Sequence, residues 1–488
     1  MTVKQNQLRA PVAEAMKAYA GDGALAFHTP GHKQGLGAHP LLQELITPQG
    51  LKEEVSLMEE LDDLHEPTMC IKEAQELAAQ LYGADAAYFM INGTSGAIHA
   101  MIMGTLSPGD TVLVPRNAHR SMIGALILAG VTPVYIQPRI DEKLGIPMGL
   151  RLKDIVAAAD NHPEAKALLL VYPTYYGVTI DLAAVADFVH SRNMLLLVDE
   201  AHGPHLKFSD KLPKQALEAG ADMAAQSTHK ILGSMTQTSI LLARAGRVDL
   251  ERVRSAASLL QSTSPNQLLL ASLDIARLQM AEQGEEVVNR AVNLAEKLRQ
   301  AINAIPGLWS FGGDYLPDGE SLDLTKVTVS VRGLGITGVQ AESILRHQYK
   351  IQCELSDAYN LLFIISYADT EAQVRILTNA LQGLAEQFAG AQELVLPVEI
   401  PPVPALGLEP RAAFFAGRET SDFEAAAGCI AAEQVMFYPP GIPILAPGDV
   451  IEPESMHYIR SMQQLGLKVV GPADTRLKTI QIVRDISR

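Results

Sequence analysis

The sequence predicts an α/β protein with a mostly parallel seven-stranded sheet, followed by a smaller α/β unit and a C-terminal domain. Three observations predict it. Between residues 70 and 245, seven short apolar runs alternate with amphipathic helical stretches. The runs are continuous rather than alternating, as strands covered on both faces require. The stretches between them are long enough to serve as crossover helices, which layer both sides of a parallel sheet.

Taken in order, the strands are expected at 87–91 (AYFMI), 111–115 (TVLVP), 133–137 (PVYIQ), 167–172 (ALLLVY), 195–200 (LLLVDE), 222–227 (DMAAQS) and 239–243 (SILLA). IKEAQELAAQLY (71–82) and LAAVADFVHSRN (182–193) are examples of the intervening helices. A long helix is expected over roughly 265–305, then a glycine-rich break near 311–319 and a new strand, KVTVSV, at 326–331. Five prolines in 394–410 favour extended chain over helix there. The expected organisation is an N-terminal segment (1–60), a large domain (61–320), a small α/β domain (321–393), a linker (394–410) and a C-terminal domain (411–488).

Composition narrows the function classes. A chain of 488 residues, 48 % hydrophobic and 19 % charged, is ordinary for a globular protein of several domains. Its net charge of −16 and the lack of a basic run argue against nucleic acid. No apolar stretch is long enough to span a bilayer, and the N-terminus lacks the apolar core of a secretion signal. Cys70, Cys353 and Cys429 lie far apart without ligand spacing, so they are expected as inert buried thiols in a reduced, cytoplasmic setting. No metal is expected.

Ligands of open parallel sheets bind beyond the carboxyl ends of the strands. Four groups fall there. NGTSG (92–96) follows the first strand and opens a helix, where Thr94 and Ser95 hydroxyls and free N–H groups suit an anion, although a plain helix cap has the same sequence. Asp199 ends the fifth strand, next to Ala201 and His202. It suits a ribose, a metal or a protonated ring nitrogen as well as a turn. STHK (227–230) follows the sixth strand and offers Ser227, His229 and the amine of Lys230. A lysine whose pKa is lowered by burial and cationic neighbours forms Schiff bases, whereas a solvated lysine does not. His119 follows the second strand and serves equally as a ring stacker, an acid–base group or a loop cap. One cofactor needs an anion cradle, a carboxylate for a pyridine nitrogen and a lysine for an aldehyde, and that is pyridoxal 5′-phosphate.

HTPGHKQG (28–35), LDDLHEPTMCIKEAQELAAQLYGA (61–84), NGTSGA (92–97), DEAHG (199–203), STHKILGSMTQTS (227–239), QSTSPN (261–266) and YPPGIPILAPG (438–448) closely resemble motifs of the Orn/Lys/Arg decarboxylases. The resemblance runs from about residue 10 to the end. It implies the aspartate-aminotransferase-like fold of pyridoxal-phosphate-dependent transferases. It further implies that Lys230 carries the cofactor as a Schiff base, Asp199 pairs with the pyridinium nitrogen and His119 stacks on the ring. Thr94, Ser95, Ser227 and His229 would hold the phosphate, with Ala201 and His202 beside the cofactor. His202 stands where some relatives carry tryptophan. Because HTPGHK begins at residue 28, the chain resembles the short, biosynthetic type without an N-terminal wing domain.

The activity implied is decarboxylation of a basic L-amino acid through an external aldimine and a carbanion delocalised into the ring. Arginine, giving agmatine for polyamine synthesis, is expected ahead of lysine and ornithine. Glu354 and Glu433, and after them Asp62 or Asp63, are expected to receive the basic side chain. The resemblance implies a homodimer or a multiple of dimers, with HTPGHK and QSTSPN reaching a neighbour's site. The nearest rival is another reaction of the same fold, such as transamination. A non-catalytic homologue would have lost Lys230 or Asp199, and both are present.

Overall fold

The computed structural model describes residues 7–396, 400–437 and 441–484. Seven strands make the central sheet: β1 Ala86–Met90, β2 Thr111–Pro115, β3 Thr132–Ile136, β4 Ala167–Val171, β5 Leu195–Asp199, β6 Met223–Gln226 and β7 Ser239–Ala243. Their order is β1-β7-β6-β5 in one compact unit of the chain and β4-β2-β3 in the other. The described residues divide into two compact units, the first comprising 7–105, 197–209 and 214–287, and the second the other described residues.

In the first unit β5 and β6 run parallel, while β7 lies antiparallel between β6 and β1. Every residue of β6 and β7 is buried, which is why these runs show no alternation of apolar and polar residues. Helix α1 (Pro11–Asp22) packs on α2 (Cys70–Tyr82), and α3 (Gly93–Thr105) on α6 (Leu250–Leu260). The α3–α6 contact is unusually close: a Cβ on Gly104 would stand 2.8 Å from the Val253 Cα. Gly104→Ala must therefore push the helices apart, and we expect a loss of about 1–3 kcal/mol in urea unfolding. A variant as stable as the parent would contradict this packing.

Before α2, residues 25–45 expose Leu25, Phe27, Leu36 and Leu45, each more than 80 % accessible. The HTPGHK stretch is stitched internally. His28 Nε2 meets the Tyr19 hydroxyl at 2.8 Å, Lys33 Nζ donates to the His28 carbonyl at 2.6 Å, and His32 pairs with Glu54 at 2.9 Å.

In the second unit β2 pairs in parallel with β3 and β4. Helix α4 (Arg120–Ala129) follows β2. A second sheet of β8 (Lys326–Ser330), β9 (Leu355–Ser356) and β10 (Asn360–Ile364) is antiparallel. Val327, Val329, Leu361 and Phe363 from that sheet pack with Leu294, Leu298 and Ile302 of helix α7 (Gln267–Asn303), and with Leu381 and Leu384 of α8 (Glu371–Gln387). A separate core of Phe423, Val435, Leu445, Ile459 and Ile480 organises the C-terminal residues. The described part of the proline-rich stretch before α-helical Pro410–Phe415 is irregular chain with one isolated bridge, Leu406 to Asp449. Tyr438, Pro439 and Pro440 of the YPPGIP motif lie outside the described residues. No described helix is long and apolar enough to cross a membrane. Each cysteine is only partly buried rather than enclosed, and none is disulfide-bonded. Burial still raises the Cys70 thiol to about 11 and the Cys353 thiol to about 12, which suppresses their thiolates.

Candidate active site

The first unit gathers one group of predicted residues around the ends of β5 and β6 and the start of α3. Gly93 opens α3 with φ +76°, a conformation that side chains disfavour. The loop before it is clamped from two sides. Gln261 Oε1 accepts from the Ile91 amide at 3.0 Å, Gln237 Nε2 donates to the Ile91 carbonyl at 2.6 Å, and the Gly93 amide donates to the Gln237 carbonyl at 2.8 Å. Neither glutamine was singled out from sequence, since amide side chains supporting a loop carry no spacing signal.

Behind that loop lies a chain of hydroxyls. Thr94 Oγ1 bonds Ser227 Oγ and, at 2.9 Å, Ser239 Oγ, which donates onward to the Gln226 carbonyl at 2.7 Å. Thr94, Ser227 and Ser239 are buried, and Ser95 on the first turn of α3 is half-buried. Ser239, the last residue of the STHKILGSMTQTS block, belongs to this cluster and was missed. His229 turns Nδ1 toward the Thr238 carbonyl at 2.7 Å. Its pKa is lowered by burial, despite that carbonyl, and by the Lys230 charge. In the neutral ring this leaves Nε2 as an acceptor, so donation to a phosphate requires the dianion to restore the second proton.

Asp199 is buried at the end of β5, and its Oδ1 accepts from the Ala201 amide at 3.1 Å. Burial pushes its carboxyl above the usual range, while the Lys230 charge and the Ala201 N–H pull it back. Lys230 sits on a single helical turn, α5 (Thr228–Ile231), and its Nζ lies 2.9 Å from Nε2 of the buried His202. Lysine, acid and hydroxyls are thus arranged within one unit.

Glu200 was not given a role from sequence, yet it is fully buried beside Asp199. Its Oε1 accepts from the Ala216 amide at 2.7 Å and its Oε2 from Gln226 Nε2 at 2.8 Å. Burial, reinforced by the Asp199 charge and opposed by these donors, raises its pKa from 4.5 to about 8. The folded protein then holds a proton that the unfolded chain releases, so this group's stabilisation fades as pH rises from about 4.5 to about 8. Glu200→Gln lacks that loss. Its melting temperature relative to the parent is expected to climb across the same interval, and parallel melting curves would contradict the buried acid.

Most of the remaining predicted residues make hydrogen bonds of their own. His119, in the second unit, caps α4: its Nδ1 accepts from the Ser121 amide at 3.2 Å and lies 2.8 Å from the Ser121 hydroxyl. Glu433 is spent on structure, its two oxygens accepting from the Ala473 and Gln481 amides, each at 2.8 Å. Asp62 likewise anchors the start of α2. Its carboxylate accepts from the amides of Asp63, Thr68, Met69, Ile71 and Lys72. Burial would raise its pKa, but these N–H groups outweigh it and hold it below the usual range. Asp63 accepts from the His65 amide at 2.8 Å. Glu354 remains exposed just ahead of β9.

This arrangement has relatives. The chain is 44 % identical over 484 residues to an arginine decarboxylase of Bacillus anthracis, covering 98 % of each chain. It is 42 % identical over 484 residues to an arginine decarboxylase of Bacillus subtilis, covering 98 % of this chain and 99 % of that one. Among solved structures, a lysine decarboxylase of Francisella novicida superposes with a TM-score of 0.85 at 22 % identity, over 98 % of this chain and 82 % of that chain. The fold is that of the pyridoxal-phosphate-dependent transferases. Residues 10–313 match the major domain of the Orn/Lys/Arg decarboxylases and residues 409–473 their C-terminal domain. The chain therefore belongs to the Orn/Lys/Arg decarboxylase family.

Proposed function

We propose that this protein decarboxylates L-arginine to agmatine with pyridoxal 5′-phosphate held on Lys230. The observation that carries the reading is the joint presence, in one unit, of the Lys230 amine, the buried Asp199 carboxylate and the Thr94–Ser227–Ser239 hydroxyls. The donor set fits the cofactor. Neutral hydroxyls at a helix start suit a phosphate, a buried acid suits a protonated pyridine, and a lysine suits an aldehyde. When bound, the cofactor supplies an electron sink for the bond broken at the substrate's Cα.

The protein's own groups do the rest. Thr94, Ser95, Ser227 and His229 hold the phosphate. Asp199, fixed by the Ala201 amide, keeps the ring nitrogen protonated. His119 keeps Nδ1 on its helix cap and offers the ring for stacking. Glu354 supplies the carboxylate for the guanidinium, a pairing that two parallel N–H···O bonds favour for arginine over an ammonium. Arginine is preferred to lysine and ornithine because the relatives at 42–46 % identity are named arginine decarboxylases.

The apolar side chains exposed over 25–45 suit burial against a second copy, which supports a homodimer or a multiple of dimers as the working form, and three thiols outside any disulfide suit the cytoplasm. Incubation with arginine, lysine and ornithine in turn, with product amine and CO2 measured, tests the assignment. Agmatine from arginine is expected; a keto acid, or preferential release of another amine, would overturn it.

A further inference from the structure

A lysine at its ordinary pKa near 10 is protonated at neutral pH and cannot add to an aldehyde. A group that takes its proton must lie within hydrogen-bond distance. Nε2 of His202 lies 2.9 Å from Lys230 Nζ. The histidine is held there by the fold. It sits in the tight turn closed by the Gly203 amide donating to the Glu200 carbonyl at 2.9 Å, and it is buried. Three other titratable groups close to the pair have hydrogen bonds of their own. Asp199 on β5 accepts from the Ala201 amide, and its neighbour Glu200 accepts from Ala216 and Gln226. His229 on α5 directs Nδ1 at the Thr238 carbonyl. A histidine in contact with an amine, in a turn built by its own chain, is a proton acceptor of the right kind in the right place.

We propose that His202 is the acid–base partner of the Lys230 amine, a role that rests on the reading of Lys230 as the cofactor's anchor. His202 Nε2 takes one proton from the Lys230 ammonium, leaving a neutral amine and an imidazolium. The amine lone pair forms the C–N bond to the aldehyde carbon while the C=O electron pair moves to oxygen, which also receives a second Nζ proton. The imidazolium then returns its proton to that oxygen, which departs as water. The third proton stays on the C=N nitrogen, and His202 is neutral again. Run backwards, the same transfers free Lys230 when a substrate amine displaces it.

The test uses the full-length protein stripped of cofactor and mixed with pyridoxal 5′-phosphate, with the visible absorbance of the Schiff base followed by stopped flow. In His202→Phe and His202→Gln, which keep the side-chain size without a proton acceptor of this strength, capture at pH 7 is expected to slow at least about tenfold. The deficit should shrink toward pH 10, where abundant hydroxide can take the proton in place of a protein acceptor. Rates within twofold of the parent at both pH values, or a deficit equal at both, would show that His202 only fills space and would overturn the proposal. Borohydride reduction and peptide mass mapping of the parent separate the two readings. A label on Lys230 with unaffected variants removes only the His202 role, whereas a parent without label on Lys230 removes the cofactor assignment and this role together.

Discussion

Lys230→Ala is expected to reduce arginine decarboxylation by at least about 10³-fold and to abolish the visible absorbance of covalently held cofactor. The argument is one of chemistry more than of packing. Lys230 is only half-buried on its short turn, so alanine forfeits little apolar contact. What disappears is the amine that meets His202 and bears on Asp199. The Asp199 carboxylate loses the positive charge that offsets its burial, and its pKa should rise further. The substitution leaves the proposed phosphate-holding hydroxyls untouched, so the variant should still bind the cofactor without covalent attachment. Equilibrium dialysis against pyridoxal phosphate, read beside turnover, distinguishes the two effects. A variant that keeps even a tenth of the parent's turnover would remove Lys230 from the chemistry.

Asp199→Asn follows as the second large effect. Asparagine keeps the shape, and its Oδ1 can still accept from the Ala201 amide. Only the charge is lost. A neutral partner no longer favours the protonated pyridine, so the electron sink weakens while the anchor on Lys230 remains. Turnover should fall by about 10²–10⁴-fold with most of the visible absorbance retained. Turnover close to that of the parent would refute the pairing. Loss of absorbance in step with activity would make Asp199 a folding residue instead.

Much of this arrangement was legible in the sequence because it rests on order along the chain. All seven strands of the main sheet appear where continuous apolar runs were read; β2 and β7 match at both ends, and the other five differ by a single residue at one or both edges. A parallel sheet places its useful side chains after strand ends, so Thr94, Asp199 and Lys230 stood out as candidates only in combination, and the structure holds all three in one unit. Acids were harder. Asp62 and Glu433 resemble free carboxylates in the sequence, but backbone amides claim them, in the second case from 40 and 48 positions away. Such claims depend on where turns bring the chain, and composition carries no trace of that. Glu200 shows the converse: its neighbour Asp199 drew the attention, and only burial against Ala216 and Gln226 distinguishes the second acid.

The hydroxyl chain of Thr94, Ser227 and Ser239 carries no formal charge. Attraction between an anion and dipoles falls off faster with distance than attraction between ions, and dissolved electrolyte at the Debye length hardly reaches groups buried in contact. A cradle built this way should retain its anion in concentrated salt, where a clamp of lysines or arginines would let go. It should also discriminate by the number of protons it can offer, because Ser239 has already committed its own to a carbonyl.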